Sequence, residues 1–405
     1  GTSSMWATGT ISLSPHSKSA SETIYEGYLS VEMVSKDGQI LWSYLVTPSH
    51  FRTASITDDL ADQMISRLLV AIRDGAAGSL SSGSNSSGAV TSGPHVALHA
   101  AGSTLAAPLY RKWFQSSGMS VSYDAVGSEE GIKQLAGGEV DFAASDMPLT
   151  AENTQEGLRV IQIPTVLGGV VPIYNLPGLG RPLRLTAQTL AGIYSGAIRK
   201  WNDPRIVESN RGARLPNADI AVVHRSDGSG TTFVWTSFLS LASPEWKSSV
   251  GSGAHVEWPA GTGAAGNEGV AELTQKTPNA IGYVELIYAI QHQLNYAAVR
   301  NPAGEFIMAD LASITAAAVG ATVEKGEGFS ILNATGSDAY PISTFTWLLV
   351  PVTGLSAEKK SAIADLLNWA LTSGQKQCAS LGYAPLPRQV VANELRAVNA
   401  WKSKQ

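Results

Sequence analysis

Two apolar runs, 220–223 and 233–241, are separated by a short polar turn, His224-Arg225-Ser226-Asp227-Gly228-Ser229-Gly230-Thr231-Thr232. The first run has strand composition and the second reads as a helix, so the turn carries the chain from strand to helix. That junction commits this part of the chain to an α/β arrangement. Small residues there let backbone N–H groups point outward, where the helix dipole favours an anion. Arg225 stands two residues before Asp227 and four before Ser229. It offers a fork of donors to a tetrahedral oxyanion, with Asp227 close enough to orient the guanidinium. Taken alone, such a loop is equally an ordinary helix N-cap with tight-turn glycines.

Three more segments strengthen the anion reading. Gly102-Ser103-Thr104-Leu105 and Ala106-Ala107-Pro108 precede a helical stretch at 109–115. Val126-Gly127-Ser128-Glu129-Glu130-Gly131 precedes another at 132–136, and Asp141-Phe142-Ala143-Ala144-Ser145-Asp146 follows it. Each runs from a strand or turn into small hydroxyl or carboxylate residues, so hydroxyls and helix N-termini can converge from several places.

The 405 residues suffice for two or three domains with ample core. A net charge of -5 and the lack of a basic stripe argue against nucleic acid as a partner. They do not argue against a small anion, because one Arg and local dipoles act within a pocket while bulk charge is screened beyond about 8–10 Å. The single cysteine, Cys378, excludes an intrachain disulfide and a Cys-based zinc site, and is expected as a buried thiol in a small C-terminal helix. The histidines are scattered without metal-ligand spacing, so no metal or cofactor is expected. No apolar run reaches the roughly 20 residues of a membrane span. The chain begins Gly1-Thr2-Ser3-Ser4 without a signal-peptide pattern, so its compartment has to come from its function.

A Ser/Gly tract at 78–94 reads as a flexible linker. Before it, residues 1–77 read as a small α+β accessory module. Strands at 25–34 and 40–46 alternate about an Asp37-Gly38 turn, with a further strand at 8–13. Leu60, Met64, Leu68 and Ile72 mark a helix by their four-residue spacing. Lacking clustered His, Cys or carboxylates, this unit is expected to dock a further protein or another copy rather than do chemistry. After the linker, strands at 95–99, 119–124, 140–143, 170–174, 220–223, 281–284 and 344–350 alternate with helices, which predicts an α/β fold with largely parallel pairing. Helices are expected at 357–373 and 389–401.

The order of motifs is itself informative. Gly102-Ser103-Thr104, Val126-Gly127-Ser128, Phe142-Ala143-Ala144-Ser145-Asp146 and Pro164-Thr165-Val166-Leu167-Gly168-Gly169-Val170-Val171 come first. Residues 190–203, Arg225-Ser226-Asp227-Gly228-Ser229-Gly230-Thr231, Ala280-Ile281-Gly282-Tyr283-Val284-Glu285 and Tyr383-Ala384-Pro385-Leu386-Pro387 follow. From about 95 to 405 the chain closely resembles the phosphate-binding receptors of the bacterial high-affinity phosphate ABC transporter. The first 77 residues lie outside that pattern.

The resemblance implies a two-lobed periplasmic-binding-protein fold of type II, hinged between lobes. Lobe one would comprise 95–175 and 339–405, and lobe two 176–338. It implies capture of inorganic phosphate, delivery to a membrane ABC permease, an extracytoplasmic or periplasmic location, and no enzymatic activity. Lipid anchoring stays open. Thr104, the backbone N–H of Leu105, Ser128 and Asp146 would hold phosphate from the first lobe. Arg225, Ser229, Gly230 and Thr231 would close from the second, with Asp227 supporting Arg225. Two features depart from the pattern. Leu105 replaces a common phenylalanine, and Glu129-Glu130 replace small residues, so both carboxylates are expected to face outward.

Asp146 is the odd member of an anion site, and makes sense if the ligand brings a proton to donate. Phosphate at neutral pH does so and sulfate does not. Two other readings stay open: a receptor for another oxyanion (arsenate, sulfate or molybdate), and a phosphatase-like or sensor protein on the same scaffold. For the latter, Ser128 and Ser229 lack a Gly-x-Ser-x-Gly elbow, and His224 should point away from the turn.

Overall fold

The computed structural model describes residues 6–19, 22–34, 40–46, 51–52, 96–150, 157–319 and 330–403. The chain divides into two compact units, Gly1–Gly93 and Pro94–Gln405. In the first, the strand Glu22–Val34 pairs antiparallel with Trp6–Ser19 on one side and Ile40–Val46 on the other, and Phe51–Arg52 joins it near its start. The strands expected there are present: Ile40–Val46 has the bounds expected, and Trp6–Ser19 and Glu22–Val34 are longer than alternation alone predicted. The Asp37-Gly38 turn, the helix expected through Leu60 and Ile72, and the Ser/Gly tract lie outside the described residues.

The second unit is built on a nine-stranded sheet. Across it, in order, run Thr262–Ala264, Ala221–Arg225, Ala280–Glu285, Val160–Tyr174, Ser343–Pro351, Phe142–Ser145, Leu98–Gly102 and Val121–Asp124, and Asn295–Tyr296 adds to Val160–Tyr174. At each flank the pairing is parallel, as alternating strands and helices require. In the middle it is antiparallel, which corrects the expectation of largely parallel pairing. The physical reason is the strand Val160–Tyr174, which the sequence reading recognised only from 170 onward. Its first part pairs with Ser343–Pro351 through Gly169, and its last five residues pair on the other edge with Ala280–Glu285. One continuous strand therefore belongs to both halves of the molecule.

Both halves bury large aromatic groups. Trp113, Tyr110, Phe114 and Phe142 pack on one side of the sheet's centre. On the other, Trp235 stacks on Tyr283 at 4.9 Å between ring centroids, and Tyr194 and Trp258 close around them. Trp201, Trp246 and Trp347 are also buried, as packing rather than as a stacking platform. The C-terminal helix Arg388–Ser403 packs on Ala357–Trp369, which continues into a wider turn at Ala370–Gly374 where a longer helix was expected. Cys378 is buried at the end of the short helix Gln375–Cys378, and burial pushes its thiol up to about 12. Among the described residues, no helix is long and apolar enough to cross a membrane.

Candidate functional site

Five strands of the parallel flanks, Leu98–Gly102, Val121–Asp124, Phe142–Ser145, Ala221–Arg225 and Thr262–Ala264, end by turning into small polar residues, and those turns meet. Thr104 follows Leu98–Gly102, Ser128 opens the helix Ser128–Ala136 after Val121–Asp124, and Asp146 comes directly after Phe142–Ser145. From the other half, Arg225 ends Ala221–Arg225, Ser229 caps the helix Gly230–Ala242, and Asn267 lies in the first turn of Gly266–Lys276 after Thr262–Ala264. Sites of α/β sheets form outside the carboxyl ends of strands for this reason: the helix N-termini that follow point their N–H groups at one place.

The two halves are in direct contact here. Backbone N–H of Glu129 reaches Gly228 O at 3.3 Å, and a Cβ built on Gly230 would stand 2.4 Å from Ser128 Oγ and 2.7 Å from Asp146 Cβ. Only glycine permits that approach. Gly102, at φ +138°, is required on the first side, since a Cβ there would meet Ala144 O at 2.1 Å.

Asp146 is 1% exposed. Its carboxylate accepts from Ser103 Oγ at 2.7 Å, Thr346 Oγ1 at 2.6 Å and Ser128 Oγ at 3.4 Å, and its own N–H donates to Ser128 Oγ at 3.2 Å. Burial pushes its pKa up to about 6, against the pull of those hydroxyls and of the Arg225 charge. An ionised carboxylate has about four acceptor positions, so three hydroxyls leave it able to accept one further proton donor.

Arg225 is 2% exposed and pairs in a fork with Asp227, with Nε 2.7 Å from Oδ1 and Nη2 on Oδ2. Burial raises the Asp227 pKa, but the Arg225 hydrogen bond and charge, with the Gly266 N–H at 3.1 Å, bring it below the usual carboxylate range. The remaining nitrogen, Nη1, is buried without a hydrogen-bond partner among the described residues. A buried guanidinium N–H left in that state is costly unless something anionic meets it.

The other expected site residues lie at the same turns. Thr104, Leu105, Ser128, Ser229, Gly230 and Thr231 are all buried. Ser229 Oγ accepts the Thr232 N–H at 3.2 Å, and the N–H of Leu105 meets Ser103 Oγ at 3.0 Å. Gly230 and Thr231 occupy the first turn of their helix, where backbone N–H groups have no intrahelical acceptor. Glu129 is exposed, but its carboxylate lies against the backbone of Gly228 on the facing loop. Glu130 turns to its own helix, toward Gln134 and Lys133. His224 stacks on Trp258 at 4.7 Å between centroids, with Nδ1 2.9 Å from Arg225 O.

Sequence reasoning assigned no role to three residues that belong to this cluster. Ser103 and Thr346 hold Asp146, and Asn267 hydrogen-bonds both Thr104 and Thr231. The run Gly266-Asn267-Glu268-Gly269 carries the same small-residue signal as the other turns and marks the one that could have been read. Among the described residues no His, Cys, Asp or Glu cluster is placed to hold a metal ion.

A family model for the PBP superfamily domain matches residues 85–373. The phosphate-binding protein PstS of Xylella fastidiosa is 42% identical over 305 residues, which cover 73% of this chain and 83% of the relative. That of Methanocaldococcus jannaschii is 36% identical over 337 residues, 76% of this chain and 87% of its own. Among solved structures, a high-affinity periplasmic phosphate-binding protein (PfluDING) bound with phosphate aligns with a TM-score of 0.60 at 22% identity, covering 75% of this chain and 93% of that one. A putative phosphate ABC transporter substrate-binding protein with bound phosphate from Clostridium perfringens aligns with a TM-score of 0.53 at 19% identity, covering 72% and 100%. At those identities the two structures establish a shared fold.

Proposed function

The chain belongs to the PstS family of phosphate-binding proteins, and on that footing we propose that it captures inorganic phosphate between its lobes outside the cytoplasm and delivers it to an ABC permease. The observation that carries this reading is the buried Arg225 Nη1, unpartnered among the described residues, in the same site as a carboxylate that three hydroxyl donors leave with one acceptor position open. Removing a dianion from water costs several kcal/mol and must be met by many donors. Arg225, the hydroxyls of Thr104, Ser229 and Thr231, and the N–H groups of Gly230 and Thr231 supply them, and the Ser128 hydroxyl and the Leu105 N–H join when they turn from Asp146 and Ser103 to the ligand. Asp227 holds the guanidinium in plane. Asp146 takes the ligand's proton, which selects protonated tetrahedral oxyanions and rejects sulfate. No step of bond making is assigned to Ser128 or Ser229.

Calorimetric titration of protein unfolded and refolded to strip carried-over ligand tests this directly. One-to-one binding of phosphate with no heat from sulfate is expected, with arsenate as the competitor that shares phosphate's proton and shape. Equal heats from phosphate and sulfate would remove the role given to Asp146, and no phosphate heat would remove the receptor reading.

Lobe closure supplies a second test. Because a methyl on Gly230 would meet Ser128 and Asp146, Gly230→Ala should hold the lobes apart. Overpacking of this kind costs about 1–3 kcal/mol, so phosphate affinity should fall roughly 10- to 100-fold. The melting temperature of the ligand-free protein should change little, since the clash arises only on closure. An unchanged affinity would show that Gly230 does not approach Ser128 and Asp146 this closely when phosphate is bound.

A further inference from the structure

The Asn267 side chain is fully buried, and both its amide oxygen and its amide nitrogen are engaged. Its Oδ1 accepts the backbone N–H of Glu285 at 2.9 Å. A backbone N–H can only donate, so this bond fixes which end of the amide is oxygen. The Nδ2 group then has two protons, one directed to Thr104 Oγ1 at 2.9 Å and the other to Thr231 Oγ1 at 3.2 Å. Those threonines come from opposite halves of the molecule. Glu285 is itself anchored: its carboxylate caps the Ile287 N–H at 2.6 Å, and Tyr288 in the same short helix donates to Thr104 O at 2.7 Å.

We infer that Asn267 is a positioning residue that fixes the polarity of both threonine hydroxyls and ties them across the cleft. The inference rests on the phosphate-receptor reading. A hydroxyl has one proton and can point it either way. When an amide N–H occupies the acceptor side of a hydroxyl, that contact cannot absorb the hydroxyl's own proton, which stays available for an anion. One amide does this for a hydroxyl from each half, so both are set as donors only when the halves meet. An asparagine held by Glu285 serves this purpose better than a charged residue: it donates twice and brings no net charge to the cleft. An aspartate in its place would accept from the threonines, turn both hydroxyls away from the ligand and add repulsion.

The test is a double-mutant cycle read by equilibrium dialysis with radiolabelled phosphate up to millimolar concentration. Unsubstituted protein comes first, because failure to bind phosphate there removes the receptor reading itself rather than this inference. Losing two neutral hydrogen bonds that act only through donor alignment, Asn267→Ala should weaken phosphate binding about 30-fold. In a Thr104→Val, Thr231→Val background the same substitution should cost less than about 3-fold, since its targets are gone. A residue that merely packs would cost the same in both backgrounds, and that result overturns the inference. So does Asn267→Ala binding within about 3-fold of the unsubstituted protein. If Asn267→Ala fails to fold, Asn267→Asp keeps the acceptor for Glu285 and replaces it in the test. It should lose at least about 100-fold, and near-native binding by it overturns the proposal.

Discussion

Arg225→Ala should weaken phosphate binding by between about 30-fold and about 4,000-fold. Truncating one member of a buried, hydrogen-bonded charge pair costs about 2–5 kcal/mol, and each 1.4 kcal/mol is tenfold. Here the loss has two parts. The donor at Nη1 disappears, and Asp227, whose ionised form Arg225 stabilises, becomes an uncompensated carboxylate beside the anion. Arg225→Lys restores the charge but not the planar fork that Asp227 grips, so it should recover only part of the loss. Calorimetry on both variants, with thermal melts to exclude unfolding, provides the check. A loss below tenfold for Arg225→Ala would mean that the anion is held elsewhere.

Asp146→Asn should change which anion binds. The asparagine can still accept from Ser103 or Thr346, and those hydroxyls can reverse to meet its amide protons, so the fold should survive. A site acceptor then becomes a donor, and phosphate and sulfate become nearly equivalent. A site whose buried polar group goes unmatched rejects the wrong ligand by roughly 10⁴-fold, so the phosphate-to-sulfate ratio should fall by about that factor. Competition calorimetry at pH 8 measures it, and a variant that still refuses sulfate would refute the gate. The unsubstituted protein offers a matching pH test. Burial holds the Asp146 pKa at about 6, so the carboxyl is ionised above that pH and protonated below it. Sulfate should therefore be refused at pH 8 and begin to bind as pH falls through about 6.

What the sequence made legible follows from where the information is stored. Thr104, Ser128, Asp146 and Arg225 sit where an apolar run breaks into Gly, Ser, Thr or Asp, a signal contained within a few residues. Thr346 offers no such signal. It lies inside the nine-residue strand Ser343–Pro351 and touches Asp146 only because that strand pairs with Phe142–Ser145, about 200 residues away in sequence. Asn267 was masked differently, because the strand before it has only three residues and reads as loop. Strand direction was illegible for a third reason. Alternation reports which face of a strand is buried and says nothing of which way its neighbour runs, so the antiparallel centre of the sheet emerged only from the pairing.

The strand Val160–Tyr174 changes partners between Gly169 and Val170 without interruption of its backbone. Mechanically this is a flexure and not a pin joint: the moving parts are made from one piece, and bending spreads over many dihedral angles. Such a joint has no bearing surface that must be unseated and reseated in each cycle. The parts that latch the molecule shut therefore lie at the cleft and not at the joint: the Glu129 N–H on Gly228 O, and Asn267 and Tyr288 on Thr104, already cross it, and the cargo adds to them. Opening then depends on contacts at the cleft mouth, which is where an acceptor would have to act to trigger release.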